Sequence, residues 1–304
     1  MHLLSIKFII IYVFICCSLM VHWRGKVKLR LTRHMLDQST LMAPINCLMY
    51  FFSAVPNRPF LSIEQFPELL PLGENWELIR TEALKLFDQG LIKASNRHDD
   101  AGFNTFFKRG WKRFYLKWYD TAHPSARELC PHTVALLEQI PTIKAGMFAL
   151  LPPGGRLGAH RDPYAGSLRY HLGLSTPNSK ECALIVDGET YSWHDGEAVV
   201  FDETYVHEAY NYTDAMRIIL FCDIARPMRT IIGRGLTRFC NNTLMKAASA
   251  PNTEHDRTGF INRTFKYIYH IQAAGQRLKE KNRRLYYFSK YSLLLVLGLL
   301  IIFA

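Results

Sequence analysis

Two long apolar runs stand at the ends of the chain. Leu3 to Trp23 carries Lys7 as its one formal charge, and as a helix it would rise about 30 Å, the depth of a hydrocarbon layer. A basic cluster follows directly: Arg24, Lys26, Lys28, Arg30 and Arg33. A signal peptide shares the layout of one cation ahead of an apolar core. No small-residue cleavage pattern closes this run, so an uncleaved anchor is the expectation. At the other end Tyr291 to Ala304 is uncharged but short. Adding Leu285 to Lys290, with Lys290 reaching to the interface, brings it to a span-like length. The bland alternative is a hydrophobic tail that packs on the domain. Arg277, Lys279, Lys281, Arg283 and Arg284 precede it, and the positive-inside bias sets both basic clusters, with all that lies between, on the cytoplasmic side.

Between the runs the periodicity changes three times. Residues 24–58 hold the basic stretch and a second apolar patch, Leu48 to Val55, too short to span and suited to an interface. Residues 59–142 read as helix and loop: Trp76, Ile79, Ala83 and Leu86 recur at helical spacing within Glu74–Gln89, Gly90 stops them, and a second helix is expected within Ser125–Gln139. From 143 to 225 the period becomes two. In Leu168 to Leu174 it sets Leu168, Tyr170, Leu172 and Leu174 on one face and Arg169 with His171 on the other. Asp187-Gly188 between Cys182–Val186 and Glu189–Trp193 signals a tight hairpin. Ala198–Phe201, Val206–Asn211 and Met216–Asp223 read as further strands. Residues 226–290 return to helix, basic and marked by Tyr267, Tyr269, Tyr286 and Tyr287, a composition that suits a lipid surface. The expected division is an anchor and interfacial segment over 1–58, a domain over 59–227 with its strand-rich core at about 143–225, and a basic helical region ending in a membrane segment over 228–304.

Composition narrows the classes. A chain of 304 residues, 49% hydrophobic and 21% charged, is neither disordered nor a small disulfide scaffold. Its seven cysteines include no Cys-x-x-Cys pair, which fits a reducing compartment. The net charge of +11 would suggest nucleic acid if it were spread evenly. It is not: over residues 59–225, 16 Lys and Arg face 22 Asp and Glu, whereas the remainder holds 21 against 4. The basic charge belongs to the membrane-flanking segments, so nucleic acid is not expected as a partner.

Candidate chemistry gathers in the strand-rich block. In extended backbone His160 and Asp162 project to one side, and His207 could join them; two imidazoles and a carboxylate on one face suit an iron(II) centre with open positions. A His-x-Asp pair alone is weak, since about half of one is expected by chance in a chain with this much His and Asp, and His98-Asp99-Asp100 is another. His98 lies in a polar loop with no strand near it, so it is set aside. His160 leads into the Arg169/His171 face, and His207 precedes Arg217 by ten residues. Arg217 sits in an apolar strand, where a guanidinium is costly unless an anion meets it. A keto-acid cosubstrate with two carboxylates would meet these cations. On spacing alone, ordinary buried histidines and an Arg217 paired with an acidic neighbour remain open.

The stretch resembles the aspartyl/asparaginyl β-hydroxylase family of Fe(II)/2-oxoglutarate oxygenases over about residues 105–227. The likeness runs through Cys130-Pro131-x-Thr133-x-x-Leu136-Leu137-Glu138, Leu168-Arg169-x-His171-Leu172-Gly173-Leu174, Trp193-x-x-Gly196, Phe201-Asp202, His207-Glu208 and Arg217. It implies a mainly β fold, a double-stranded β-helix or jelly roll with flanking helices, around one Fe(II). By position it gives His160, Asp162 and His207 as metal ligands, Arg169 and His171 at the keto-acid end of 2-oxoglutarate, and Arg217 at its far carboxylate, with O2 as the other cosubstrate. Animal members that act on proteins lack the carboxylate at Asp162; this chain has it. Where those members are expected to carry a Ser, Ala149 stands here, which leaves that contact in doubt. The His160–Ser167 run and the terminal apolar segments resemble the branch that hydroxylates the 2-position of lipid A acyl chains at the bacterial inner membrane. That likeness implies a multi-pass protein with its catalytic domain facing the cytoplasm and a membrane lipid as substrate. A protein Asp or Asn hydroxylase is the alternative, and a non-catalytic membrane protein that keeps the fold is the third reading.

Overall fold

The computed structural model describes residues 6–35, 37–95, 99–119 and 121–303. Its strands are β1 (Phe60–Leu61), β2 (Lys112–Trp118), β3 (Thr121–Ala122), β4 (Ile143–Leu151), β5 (Arg156–His160), β6 (Ser167–Ser175), β7 (Cys182–Val186), β8 (Glu189–Ser192), β9 (Ala198–Phe201), β10 (His207–Asn211) and β11 (Arg217–Ala225). They pair antiparallel in two sheets, one ordered β1-β9-β6-β11-β4-β2-β3 and the other β5-β10-β7-β8. From β4 to β11 the chain passes back and forth between the two sheets. That is a double-sheet jelly roll.

The alternation in β6 explains its place. Leu168, Tyr170, Leu172 and Leu174 face an outer core shared with helices, and Arg169 with His171 face the second sheet. β11 repeats the pattern: Ile218, Leu220, Cys222 and Ile224 face outward, Arg217, Ile219 and Phe221 inward. Both faces are covered, so these strands read as nearly unbroken apolar runs. The β7–β8 connection is the hairpin expected. Asp187 (φ 52°) and Gly188 (φ 87°) both take left-handed backbone, as a two-residue turn of this hand demands.

Two expectations are corrected. Residues 59–142 are not helix and loop alone, since β2 lies beside β4 in the large sheet. Its charges hid it: Arg113 is buried against Asp100, and Lys117 Nζ donates to Leu137 O at 3.2 Å. The helix expected within Ser125–Gln139 is two. Helices α1 (Ile6–Trp23), α2 (Ala43–Phe52) and α3 (Trp76–Asp88) precede α4 (Pro124–Leu129) and α5 (Pro131–Gln139). Pro131 has no N–H and drives Cys130 out of helical backbone, to φ −135° and ψ 54°. Glu82 of α3 then caps α5, accepting from His132 N at 3.0 Å, Thr133 N at 2.9 Å and Thr133 Oγ1.

Among the described residues, α1 is the one helix long and apolar enough to cross a membrane. Helix α2 packs on it, burying Met49 and Tyr50 while Leu48 and Phe51 stay exposed. Helices α6 (Ile231–Cys240), α7 (Phe260–Lys281) and α8 (Arg283–Phe303) complete the chain, and α8 takes up the C-terminal apolar run. All seven cysteines are free.

Because Glu82 satisfies three donors at a buried helix start, Glu82→Ala should destabilise the fold by about 2 kcal/mol. A lower urea midpoint with unchanged slope would register this. A midpoint equal to wild type would show that water caps α5 as well as Glu82 does.

Candidate metal centre

Strand register brings the histidines together. β5 and β10 are neighbours, with His160 opposite His207, and the rings lie 4.2 Å apart between centroids. Each Nδ1 lies at a backbone carbonyl two residues earlier, His160 at Gly158 O (2.8 Å) and His207 at Tyr205 O (3.0 Å). Donating there fixes the tautomer and leaves Nε2 with its lone pair free. Asp162 stands two residues past the end of β5, Oδ1 3.8 Å from His160 Nε2, and the three candidate ligand atoms all lie within 4.8 Å of one another.

The electrostatics keep this set ready to bind a cation. Burial holds the imidazoles of His160 and His207 neutral, His207 down to about 3 with His160 beside it adding to the effect. Burial would raise the Asp162 carboxyl, but the Arg169 guanidinium outweighs it and holds the group below the usual carboxylate range. Arg169 Nη2 donates to Asp162 Oδ2 at 2.7 Å, and its Nε lies 2.9 Å from Asp223 Oδ1, an ion-pair contact whose N–H is not aligned as a hydrogen bond. Its guanidinium rests on the Phe221 ring, 3.8 Å from the centroid.

Beyond Arg169 the cavity holds polar groups that nothing in it satisfies. Both ring nitrogens of His171 are buried without a hydrogen-bond partner among the described residues, and so is Nε of Arg217. Burial pushes the His171 imidazole well down, with Arg169 and Arg217 adding to it, and lowers Arg217 to about 10. Arg217 lies over the Trp193 ring at 4.3 Å, and no carboxylate among the described residues pairs with it. The acidic neighbour that one reading allowed is therefore not found there. Orphaned buried donors of this kind are costly unless a ligand meets them.

All six residues singled out in the sequence, His160, Asp162, Arg169, His171, His207 and Arg217, line one cavity with Phe103, Phe106, Trp111, Leu157 and Trp193. His98 lies outside the described residues. Asp223, which flanks Arg169, escaped the reading. Its signal was present: it falls six residues after Arg217, so period two sets both on the inward face of β11. Glu203 escaped it too. Burial, with neighbouring carboxylates, raises it to about 8, and it accepts from Ser167 Oγ at 2.8 Å. The donor set fits a first-row divalent metal, and the orphaned groups of His171 and Arg217 fit a carboxylate ligand beside it.

The profile of the aspartyl/asparaginyl β-hydroxylase family matches residues 73–227, half of the chain. The chain belongs to this family, a family of hydroxylase enzymes. It is 32% identical to the ornithine lipid ester-linked acyl 2-hydroxylase of Rhizobium tropici, over 65% of this chain and 69% of that one. It is 30% identical to the human aspartyl/asparaginyl β-hydroxylase over 52% of this chain, which spans only 21% of the human protein's length. Among solved structures it overlays loosely on a Pseudomonas putida prolyl-4-hydroxylase, with 20% identity, 49% of this chain, 87% of that chain and a TM-score of 0.35.

The lowered imidazoles set a pH dependence. A histidine titrating near 6.5 would lose metal affinity to protons by about twenty-five-fold on going from pH 7 to 5. Burial holds His207 down to about 3 and lowers His160 as well, so Co(II) affinity of the hydroxylase should fall by less than that factor between pH 7 and 5. A drop near tenfold per pH unit, in titrations followed by visible absorption, would show that the site does not hold its imidazoles neutral.

Proposed function

We propose that this hydroxylase is a membrane-bound Fe(II)/2-oxoglutarate-dependent dioxygenase that hydroxylates an acyl chain of a membrane lipid at the carbon next to the carbonyl. The observation that carries the reading is one cavity in which a His-Asp-His cluster faces unpartnered His171 and Arg217. His160, Asp162 and His207 would hold the iron, and His171 and Arg217 the carboxylates of 2-oxoglutarate. Arg169, expected at the keto-acid end, already meets Asp162 and Asp223, so its part is to keep Asp162 ionised and turned to the metal. Bound iron, with 2-oxoglutarate and O2, supplies the oxidation that turns an acyl C–H into C–OH and leaves succinate and CO2.

The protein's own contribution is positional. Gly158 O and Tyr205 O aim the imidazoles, Phe201 and Phe221 wall His171, and Phe103, Phe106 and Trp111 form an apolar side suited to a methylene chain. A lipid substrate is supported by the long match to an acyl hydroxylase and by α1. Lipid A, first indicated by the sequence, and the ester-linked ornithine lipid of the Rhizobium relative share the reacting unit, an acyl carbonyl and its adjacent CH2. The basic clusters that flank both terminal runs support an inner-membrane protein, spanning at both ends, with the catalytic domain on the cytoplasmic face. The deciding experiment presents purified full chain with lipid A, ornithine lipid, or an Asp/Asn peptide and weighs the products. A gain of one oxygen at the 2-position of a lipid acyl chain supports the reading. Oxygen on the peptide alone transfers the assignment to the protein-hydroxylase alternative.

Asp162→Ala and His207→Ala should each lower turnover more than a hundredfold with the fold retained by circular dichroism, as an open three-ligand site tolerates no loss. Wild-type turnover in either variant would remove that residue from the ligand set.

Arg217→Lys keeps the charge and loses the fork. The KM for 2-oxoglutarate should rise by about tenfold or more while that for lipid stays the same. An unchanged 2-oxoglutarate KM would make Arg217 a structural cation.

A further inference from the structure

The residue between two ligands of the cluster points away from it. Arg161 is buried, and its guanidinium donates to Val21 O at 2.7 Å, His22 O at 3.3 Å and Arg24 O at 3.4 Å. These carbonyls belong to the end of α1 and the residue just past it, where a helix leaves acceptors without internal partners and favours a cation. A contact runs back the other way. Arg24 Nη2 lies 2.6 Å from Asp202 Oδ2 and its Nη1 donates to Thr204 Oγ1 at 2.8 Å, with the guanidinium over the rings of Tyr50 (4.1 Å) and Tyr205 (3.7 Å). Asp202, also held by Arg226 at 2.7 Å, begins the loop that delivers His207.

Neighbouring contacts tighten the same junction. The amides of Lys26 and Val27 both donate to Asp187 Oδ1, at 2.7 and 2.8 Å, and the Asp187 amide donates to Val206 O, next to His207. Asn46 of α2 donates to Pro163 O at 2.8 Å and accepts from Ala165 N at 2.9 Å, just after Asp162. Gly25 turns at φ 85°, and a Cβ there would fall 2.6 Å from Asp187 Oδ1 and 2.9 Å from Tyr205 Cδ1. Only glycine lets the chain leave α1 this close to the domain.

We infer that the end of the membrane helix is a structural part of the metal centre, with Arg161 and Arg24 as positioning residues that latch α1 to the two segments carrying His160, Asp162 and His207. The inference rests on the metal reading proposed above. If the latch only held the fold together, breaking it would lower stability and leave the affinity of folded protein for metal untouched. If it positions the ligands, affinity itself falls.

The test uses the full chain in detergent micelles and titrates Co(II), followed by its visible bands. Arg161→Met and Arg24→Met should each weaken Co(II) binding by about tenfold to a hundredfold, the range for residues that orient metal ligands. Arg161→Lys should recover part of the loss, and Arg127→Ala, which removes an exposed pair with Glu138, should change nothing. Folded Arg161→Met and Arg24→Met variants that bind Co(II) as wild type does would overturn the latch. Should the variants not fold, hydrogen exchange on wild type decides, because coupling is reciprocal. Co(II) should slow exchange of the Lys26 and Val27 amides, and exchange there that ignores the metal would overturn the proposal. Wild-type protein that binds no Co(II) would instead remove the metal reading, and the latch with it.

Discussion

Arg169 lies between Asp162 and Asp223 in a space largely closed to water, and the ion triad it forms constrains the whole interior of the jelly roll. Removing one member of such a buried set leaves an uncompensated charge at a cost of about 3–5 kcal/mol. The triad therefore fixes more than a contact. It joins the Asp162 segment to β6 and, through Arg169, to β11, so Asp162, outside regular strand, is held by a cation that Asp223 anchors inside the sheet. It also divides the labour among the cations. Arg169 is engaged, and Arg217, two residues outside the inward apolar pair Ile219 and Phe221, is left with its Nε unmet.

That division has an electrostatic logic. Burial keeps His160, His171 and His207 neutral and Glu203 raised toward its neutral form. Asp162 with Arg169 and Arg217 in the cavity, and Asp223 just behind Arg169, then stand near balance. Adding a divalent cation alone would upset that balance, and so would adding a dicarboxylate alone. The two together would restore it, so a low-dielectric site of this composition would accept a divalent cation more readily with a dicarboxylate beside it than without one. Histidines on the protein side contribute lone pairs without adding charge.

How far the sequence was legible follows from what each signal depends on. Period two in Leu168–Leu174 was readable because both faces have local rules, and the Asp187-Gly188 turn because left-handed backbone selects its residues. The inward set His160, His171, His207 and Arg217 was readable as residue types out of place among apolar neighbours. What could not be read depends on distant partners. β2 looked polar because Arg113 meets Asp100 and Lys117 meets a carbonyl of α5, and neither pairing has any mark in local sequence. Arg161 was passed over between His160 and Asp162 for the same reason, since its acceptors lie about 140 residues earlier in the chain.

Ala149 shows how the same geometry bears on the unfilled end of the cavity. It is buried on the inner face of β4, paired in register with Ile219, while Arg217 pairs with Leu151 next along that face. A hydroxyl at that position would sit one residue pair from the guanidinium, within the reach of a side chain on the neighbouring strand. The methyl group supplies no such partner, and Trp193 offers the cation a ring face and no acceptor. An anion arriving there would find Arg217 with no carboxylate among the described residues paired to it. Burial lowers its pKa with no anion there to offset it, and a bound carboxylate would reverse the shift.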